Sequence, residues 1–126
     1  MAVLTEISLR LPNSPGALAD ICRLLETERV SILALGLDPA GSVRLVVNNP
    51  TRATGALREM RHALSTRDVL VVSAGHGPDG FGPALGLLAD AGVNVDYAYS
   101  GTGESRTPVL VVGVDDPVRA ATIAGV

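Results

Sequence analysis

The chain repeats itself. Asn13-Ser14-Pro15-Gly16-Ala17-Leu18 runs into a helical pattern with apolar residues at Leu18, Ile21, Cys22 and Leu25. His76-Gly77-Pro78-Asp79-Gly80-Phe81 does the same further on, followed by Phe81, Ala84, Leu85 and Leu88. Both sets fall at i, i+3, i+4 and i+7, one face of an α-helix. Both copies place a Pro where the helix is expected to open, a position that needs no N–H. A repeated supersecondary unit constrains the architecture before any single residue is interpreted.

The strands follow the same order in both copies. Residues 5–11 alternate, with Ile7, Leu9 and Leu11 set against Glu6, Ser8 and Arg10, the pattern of a half-buried strand. A helix is expected to about Glu28, then strands over 30–37 and 43–47 around the turn residues Asp38-Pro39-Ala40-Gly41. Asn49-Pro50 caps a second helix with Ala53, Ala56, Leu57 and Met60 on one face. In the second copy a strand over 69–74 leads to a helix from Pro78 to about Ala91, closed by Gly92. Strands over 93–99 and 109–114 flank the turn Gly101-Thr102-Gly103, and Asp116-Pro117 opens the last helix. Val43, Leu45 and Val47 match Leu110, Val112 and Val114, with a longer hairpin loop in the second copy, where insertion is tolerated.

Each unit is therefore βαββα, which predicts an α+β fold with an antiparallel sheet and its helices on one face. The division falls at residues 1–67 and 68–126. One long strand is expected to end the first unit and begin the second. The second unit lacks a final strand of its own, and an open sheet edge invites a partner.

Composition narrows the function. A unit of about 60 residues is marginal alone, so fusion or dimerisation is expected. Hydrophobic content of 47% supports a core. The net charge of −3 and 2% aromatic content argue against nucleic-acid binding, which needs basic patches and stacking platforms. No apolar run reaches membrane-spanning length, and no signal segment is evident, so a cytoplasmic protein is expected. Cys22 is a single cysteine on the apolar face of the first helix, expected as a buried small hydrophobe.

At this point the chain resembles tandem ACT-domain proteins, small proteins of two fused ACT units. The local signature is Asn-x-Pro-Gly-x-Leu between first strand and first helix, met by Asn13, Pro15, Gly16 and Leu18. The βαββα order, the duplication and the Asn49-Pro50 and Asp116-Pro117 helix starts support it. The resemblance implies ferredoxin-like units paired side by side and an amino acid or similar ligand at the pairing interface. It implies ligand contacts from Asn13, Ser14, Pro15, Gly16, Ala17 and Leu18, with Asn94 and Val95 from the neighbouring unit. A second site would combine Ser31 and Ile32 with His76, Asp79, Gly80 and Phe81.

Physical chemistry supports the first loop independently. The first turn of a helix offers N–H groups without intrahelical partners and a partial positive charge, which a carboxylate satisfies. Asn13 can both donate and accept. A plain cap, Ser14 at N-cap and Pro15 at N1, accounts for those two residues. It leaves Gly16 unexplained inside a first helical turn, where Gly is unfavourable. In the second copy Asp79 stands where the first has Gly16, and His76 where it has Asn13. Asp79 would repel a ligand carboxylate, so the second loop is expected to bind weakly, differently or not at all. Two ligating residues fall short of a metal site.

Other residues read as structural. His62 has no partner in sequence and is expected at the surface. Tyr97 and Tyr99 share a strand face. Arg52, Arg58 and Arg61 with Glu59 suit a solvated helix face. Ser73 lacks an acid–base set, and the Gly-x-Gly runs at Gly75 and Gly80 lack a dinucleotide-binding context. The expectation is a non-catalytic, amino-acid-responsive regulatory protein without a cofactor. It is expected to form a homodimer and to act on a separate enzyme partner, without nucleic acid or membrane. The alternative is a ligand-free interaction subunit whose sites have decayed.

Overall fold

The computed structural model describes residues 1–73, 80–104 and 106–123. Ten elements run in order: β1 (Ala2–Arg10), α1 (Ala17–Thr27), β2 (Ile32–Leu37), β3 (Ser42–Val47), α2 (Pro50–Glu59), β4 (Leu64–Ser73), α3 (Gly82–Asp90), β5 (Tyr97–Gly101), β6 (Val109–Gly113) and α4 (Pro117–Ile123). The chain forms two compact units, Thr5–Arg67 and Asp68–Val126, the latter joined by Met1–Leu4. They are called here the N-terminal and C-terminal units.

In the N-terminal unit β1 and β2 both pair antiparallel with β3. Ile7, Leu45 and Leu35 form one row across the three strands. That face, with Leu9, Val43 and Val47, meets Ile21 and Leu25 of α1 and Ala53 and Leu57 of α2 in one cluster. The helices thus lie on one face of the sheet, as period 2 in the strands and period 3.6 in the helices require. Leu64, at the start of β4, packs against the same cluster.

In the C-terminal unit β4 and β5 both pair antiparallel with β6, Leu70 opposite Val112 and Tyr99 opposite Val111. Leu70, Val72, Leu88, Val112, Val114, Ala120 and Ala121 form its buried cluster. Met1 and Val3 pack against that cluster. Residues 1–67 were expected to form the first unit, whereas here the first four residues join the second.

Several local expectations need correction. Glu6 was expected to face water but is fully buried. Its row continues through Val46 and Ala34, both also buried, so the second face of the sheet is shielded at this end and alternation there does not imply exposure. Every buried side-chain polar atom among the described residues has a hydrogen-bond partner. Cys22 is half-buried rather than buried. The strand expected over 93–99 begins only at Tyr97; Asp96 makes the first ladder bond, N–H to the Gly113 carbonyl at 2.9 Å. Tyr97 lies across Gly113, where a Cβ would collide with its ring, and stacks on Tyr99 at 6.4 Å.

The helix ends are built from local hydrogen bonds. Asn49 Oδ1 accepts from Arg52 N–H at 3.1 Å, and Asp116 Oδ1 from Arg119 N–H at 3.1 Å, the N-caps expected before Pro50 and Pro117. α1, α2 and α3 end alike. The N–H groups of Val30, His62 and Val93 reach back to the carbonyls of Leu25, Leu57 and Leu88 at 2.9–3.0 Å. Each preceding residue, Arg29, Arg61 or Gly92, has positive φ, which is the Schellman arrangement. His62 is thereby half-buried in the α2 cap.

Candidate functional site

The loop between β1 and α1 is held by two tight turns. Leu11 N–H donates to the Gly41 carbonyl at 2.8 Å, tying the loop to the β2–β3 hairpin. Gly41 has φ +85°, and a Cβ there would run into the Leu11 carbonyl, so the hairpin turn requires glycine. Asp38 organises that turn: its Oδ1 accepts from Ala40 N–H at 2.9 Å and Ser42 N–H at 3.0 Å.

Ser14-Pro15-Gly16-Ala17 forms the second turn, closed by Ala17 N–H to the Ser14 carbonyl at 3.3 Å. Gly16 has φ 85° and ψ −9° and is the N-cap of α1. Pro followed by a left-handed Gly is the signature of a type II turn. This corrects the expected geometry. Pro15 does not open the helix, Ser14 does not cap it, and Gly16 stands just before the first helical turn rather than inside it. The glycine is explained by its backbone conformation, with no ligand needed. A Cβ at Gly16 would still meet nothing within 4 Å, so the space beside it is open.

α1 has no side-chain cap. Ala17 N–H is used by the turn and Asp20 N–H bonds the Gly16 carbonyl at 2.9 Å. The N–H groups of Leu18 and Ala19 have no acceptor inside the helix. Both residues line a depression of about 360 Å³. Asn13, Ser14, Gly16, Ala17 and Leu18 all line it; Pro15 does not. Its opposite wall is Leu37, Asp38 and Pro39 of the hairpin, which sequence reasoning did not assign to the site.

The remaining expected residues are placed differently. Ser31 exchanges hydrogen bonds with Asn48: its N–H donates to Asn48 Oδ1 at 2.9 Å and its carbonyl accepts from Asn48 N–H at 3.1 Å. Ile32 packs against the N-terminal core. Both therefore have structural duties. Asn94, exposed in the C-terminal unit, donates from Nδ2 to Asp96 Oδ1 at 3.4 Å. It lines a smaller depression of about 170 Å³ with Asp115, Asp116 and Arg119. Val95 is 37% exposed. Phe81 packs against the C-terminal core and Gly80 is half-buried beside it. His76 and Asp79, with the expected helix opening at Pro78, lie outside the described residues.

A second depression of the N-terminal unit, about 340 Å³, is lined by Ser8, Arg10, Ser42 and Arg44. Arg10 donates to the Ala40 carbonyl at 3.3 Å and Arg44 approaches Asp38 at 4.0 Å. Among the described residues no group of three or more His, Cys, Asp or Glu is placed to hold a metal ion. No helix among them is long and apolar enough to cross a membrane.

A duplicated, ferredoxin-like βαββα module with a glycine-bearing turn before its first helix defines the class. The chain belongs to the ACT domain pair family, whose model matches residues 1–124. Among solved structures it is similar to a protein of Bacteroides thetaiotaomicron, at 22% identity and TM-score 0.79, covering 96% of this chain and 85% of that one. It is also similar to the ligand-free regulatory subunit of aspartate kinase from Thermus thermophilus, at 16% identity and TM-score 0.67, covering 98% and 89%. A third is Escherichia coli aspartokinase III in complex with lysine and aspartate, at 16% identity and TM-score 0.59; the match covers 98% of this chain and 31% of that enzyme. At these identities the likeness speaks for the fold. A search of curated protein sequences finds no significant match.

Proposed function

We propose that the chain is a non-catalytic regulatory sensor that binds a small amino acid or related ligand. The ligand sits in the depression between the β1–α1 loop and the β2–β3 turn, and a separate protein reads the bound state. The observation that carries this is the start of α1, which has no side-chain cap and whose first-turn residues Leu18 and Ala19 line that depression. A ligand carboxylate fits these donors, and Asn13 beside them suits an ammonium group. Membership of the ACT domain pair family and the likeness to regulatory subunits support the same reading.

Contributions from Asn94 and Val95, pairing of the units side by side, and homodimerisation enter the proposal from the family pattern. Regulation then follows from differential binding: the ligand favours one arrangement of the protein, and the partner distinguishes it. A separate aspartate kinase-like enzyme is the partner class that the structural neighbours suggest.

A thermal-shift panel of the common amino acids at millimolar concentration tests this. A ligand at 100 times its Kd adds about 2.7 kcal/mol, a shift of several degrees for a domain of this size. Gly16→Glu, which carries a negative charge to the carboxylate position, is expected to remove that shift. Gly16→Asn is the control, since Asn tolerates a left-handed backbone. A responder lost in the Glu variant and kept in the Asn variant establishes the site. A flat panel on folded protein would favour the ligand-free interaction subunit.

A further inference from the structure

We infer that this depression selects an amino acid with an uncharged, apolar side chain, an inference that rests on the sensor reading above. One end of the site is polar: the first-turn N–H groups of α1 and the amide of Asn13. The apolar part of its lining is Leu11, Leu18, Leu37 and Pro39. Leu37 is 51% exposed although it ends a strand of the core sheet, so its side chain stands partly in water at the hairpin wall. Covering it with an aliphatic group removes apolar surface from water at both partners.

Charged side chains find little in the lining to pair with. Asp38 is the one charged residue lining the depression. Its Oδ1 already accepts two backbone N–H groups of the hairpin, at 2.9 and 3.0 Å, and its Oδ2 faces the Arg44 guanidinium at 4.0 Å. A lysine ammonium would compete with that turn for the carboxylate. An aspartate side chain would meet the like charge of Asp38 with no cation among the lining residues to offset it. The walls therefore discriminate by side-chain polarity, and the polar end serves the α-amino and α-carboxylate groups that all amino acids share.

The test is calorimetric titration of the full chain with L-valine, L-leucine, L-methionine, L-threonine, L-aspartate and L-lysine. It is run on the native protein, Leu37→Ser, Leu37→Met and Gly16→Glu, each checked for folding by circular dichroism. An aliphatic amino acid or methionine is expected to bind at least about tenfold tighter than aspartate or lysine. Leu37→Ser is expected to weaken that binding about fivefold or more, and Leu37→Met to retain it. If aspartate, lysine or threonine binds tightest and Gly16→Glu abolishes it, the side-chain class is wrong while the sensor reading stands. Apolar binding indifferent to both Leu37→Ser and Gly16→Glu would place the ligand elsewhere and overturn the inference. If none of the six binds the folded native chain, the apolar selectivity is overturned, and the full amino-acid panel above decides the sensor reading separately.

Discussion

α1 and α3 end identically and begin differently. Glu28 and Ala91 are matching C-caps, and Arg29 and Gly92 the matching left-handed residues after them. The capping bonds of the two helices agree to within 0.1 Å. Yet α1 is helical from Ala17, while the equivalent residue of the second copy, Gly80, is not helical and α3 starts only at Gly82. The duplicated unit has kept the helix end, which only builds the fold, and changed the helix start, which faces the loop. The cores differ too. The N-terminal cluster brings Ile21, Leu25 and Leu57 from its helices, the C-terminal one Leu88 with Ala120 and Ala121. The core with the larger helix side chains lies beneath the loop that carries the glycine turn.

The largest expected effect tests that difference in packing. Leu25 and Leu88 are both fully buried at matching positions. Each Leu→Ala replacement should cost about 2–5 kcal/mol by lost burial and a residual cavity. Leu25→Ala should cost more, because larger neighbours hold the cavity open, whereas small residues around Leu88 let the site adjust. Urea denaturation of the two variants reads the difference. Equal costs would mean that the alanine-rich cluster packs as rigidly as the other.

The caps come next. Asn49 and Asp116 occupy matching positions and each accepts from the N–H of a matching arginine, Arg52 or Arg119, at the same 3.1 Å. Asn49→Ala and Asp116→Ala should each cost about 1 kcal/mol. The Asp116 carboxylate also carries charge at a helix N-terminus, so its loss should be the more salt-sensitive of the two. Melting curves at low and high salt check this, and identical salt responses would remove the electrostatic distinction between the units.

Much of the fold was legible because duplication let each copy check the other. Asn49-Pro50 and Asp116-Pro117 marked helix starts because a short polar side chain before Pro leaves few alternatives. The single strand β4 followed from the β-branched run of residues 69–72. The loop was located correctly and its geometry misread. Pro15 was assigned to a helix by its frequency at first helical positions, whereas Pro-Gly competes as a type II turn, and the turn won. Glu6 was misplaced because alternation predicts exposure only when one sheet face is wet. The hairpin wall of the depression, Leu37 to Pro39, was not legible as a site. Its approach to the loop depends on the Leu11–Gly41 bond, a tertiary contact that no local pattern encodes.

The smallest expected effect concerns the shared helix end. Arg29 and Arg61 adopt φ of 58° and 65°, the conformation that Gly92 adopts at 73°. No sequence pattern flagged these arginines, since an L-residue with a Cβ prefers not to be left-handed. The Schellman bonds hold them there regardless: Arg29 N–H to Glu26 at 2.9 Å and Arg61 N–H to Arg58 at 2.9 Å. Arg29→Gly should relieve that strain, by about 1 kcal/mol, but two terms oppose it. Glycine gains more freedom in the unfolded chain, and a cation is lost from a helix C-terminus, worth about 0.3–1 kcal/mol. The terms largely cancel, so the net change should be small, within about half a kcal/mol of zero, and should move toward stabilisation as salt screens the lost charge. The reverse exchange, Gly92→Arg, should destabilise, because strain enters where the other copy tolerates it. If Gly92→Arg proves neutral, the two helix ends are interchangeable, and the choice between Arg and Gly was never set by backbone strain.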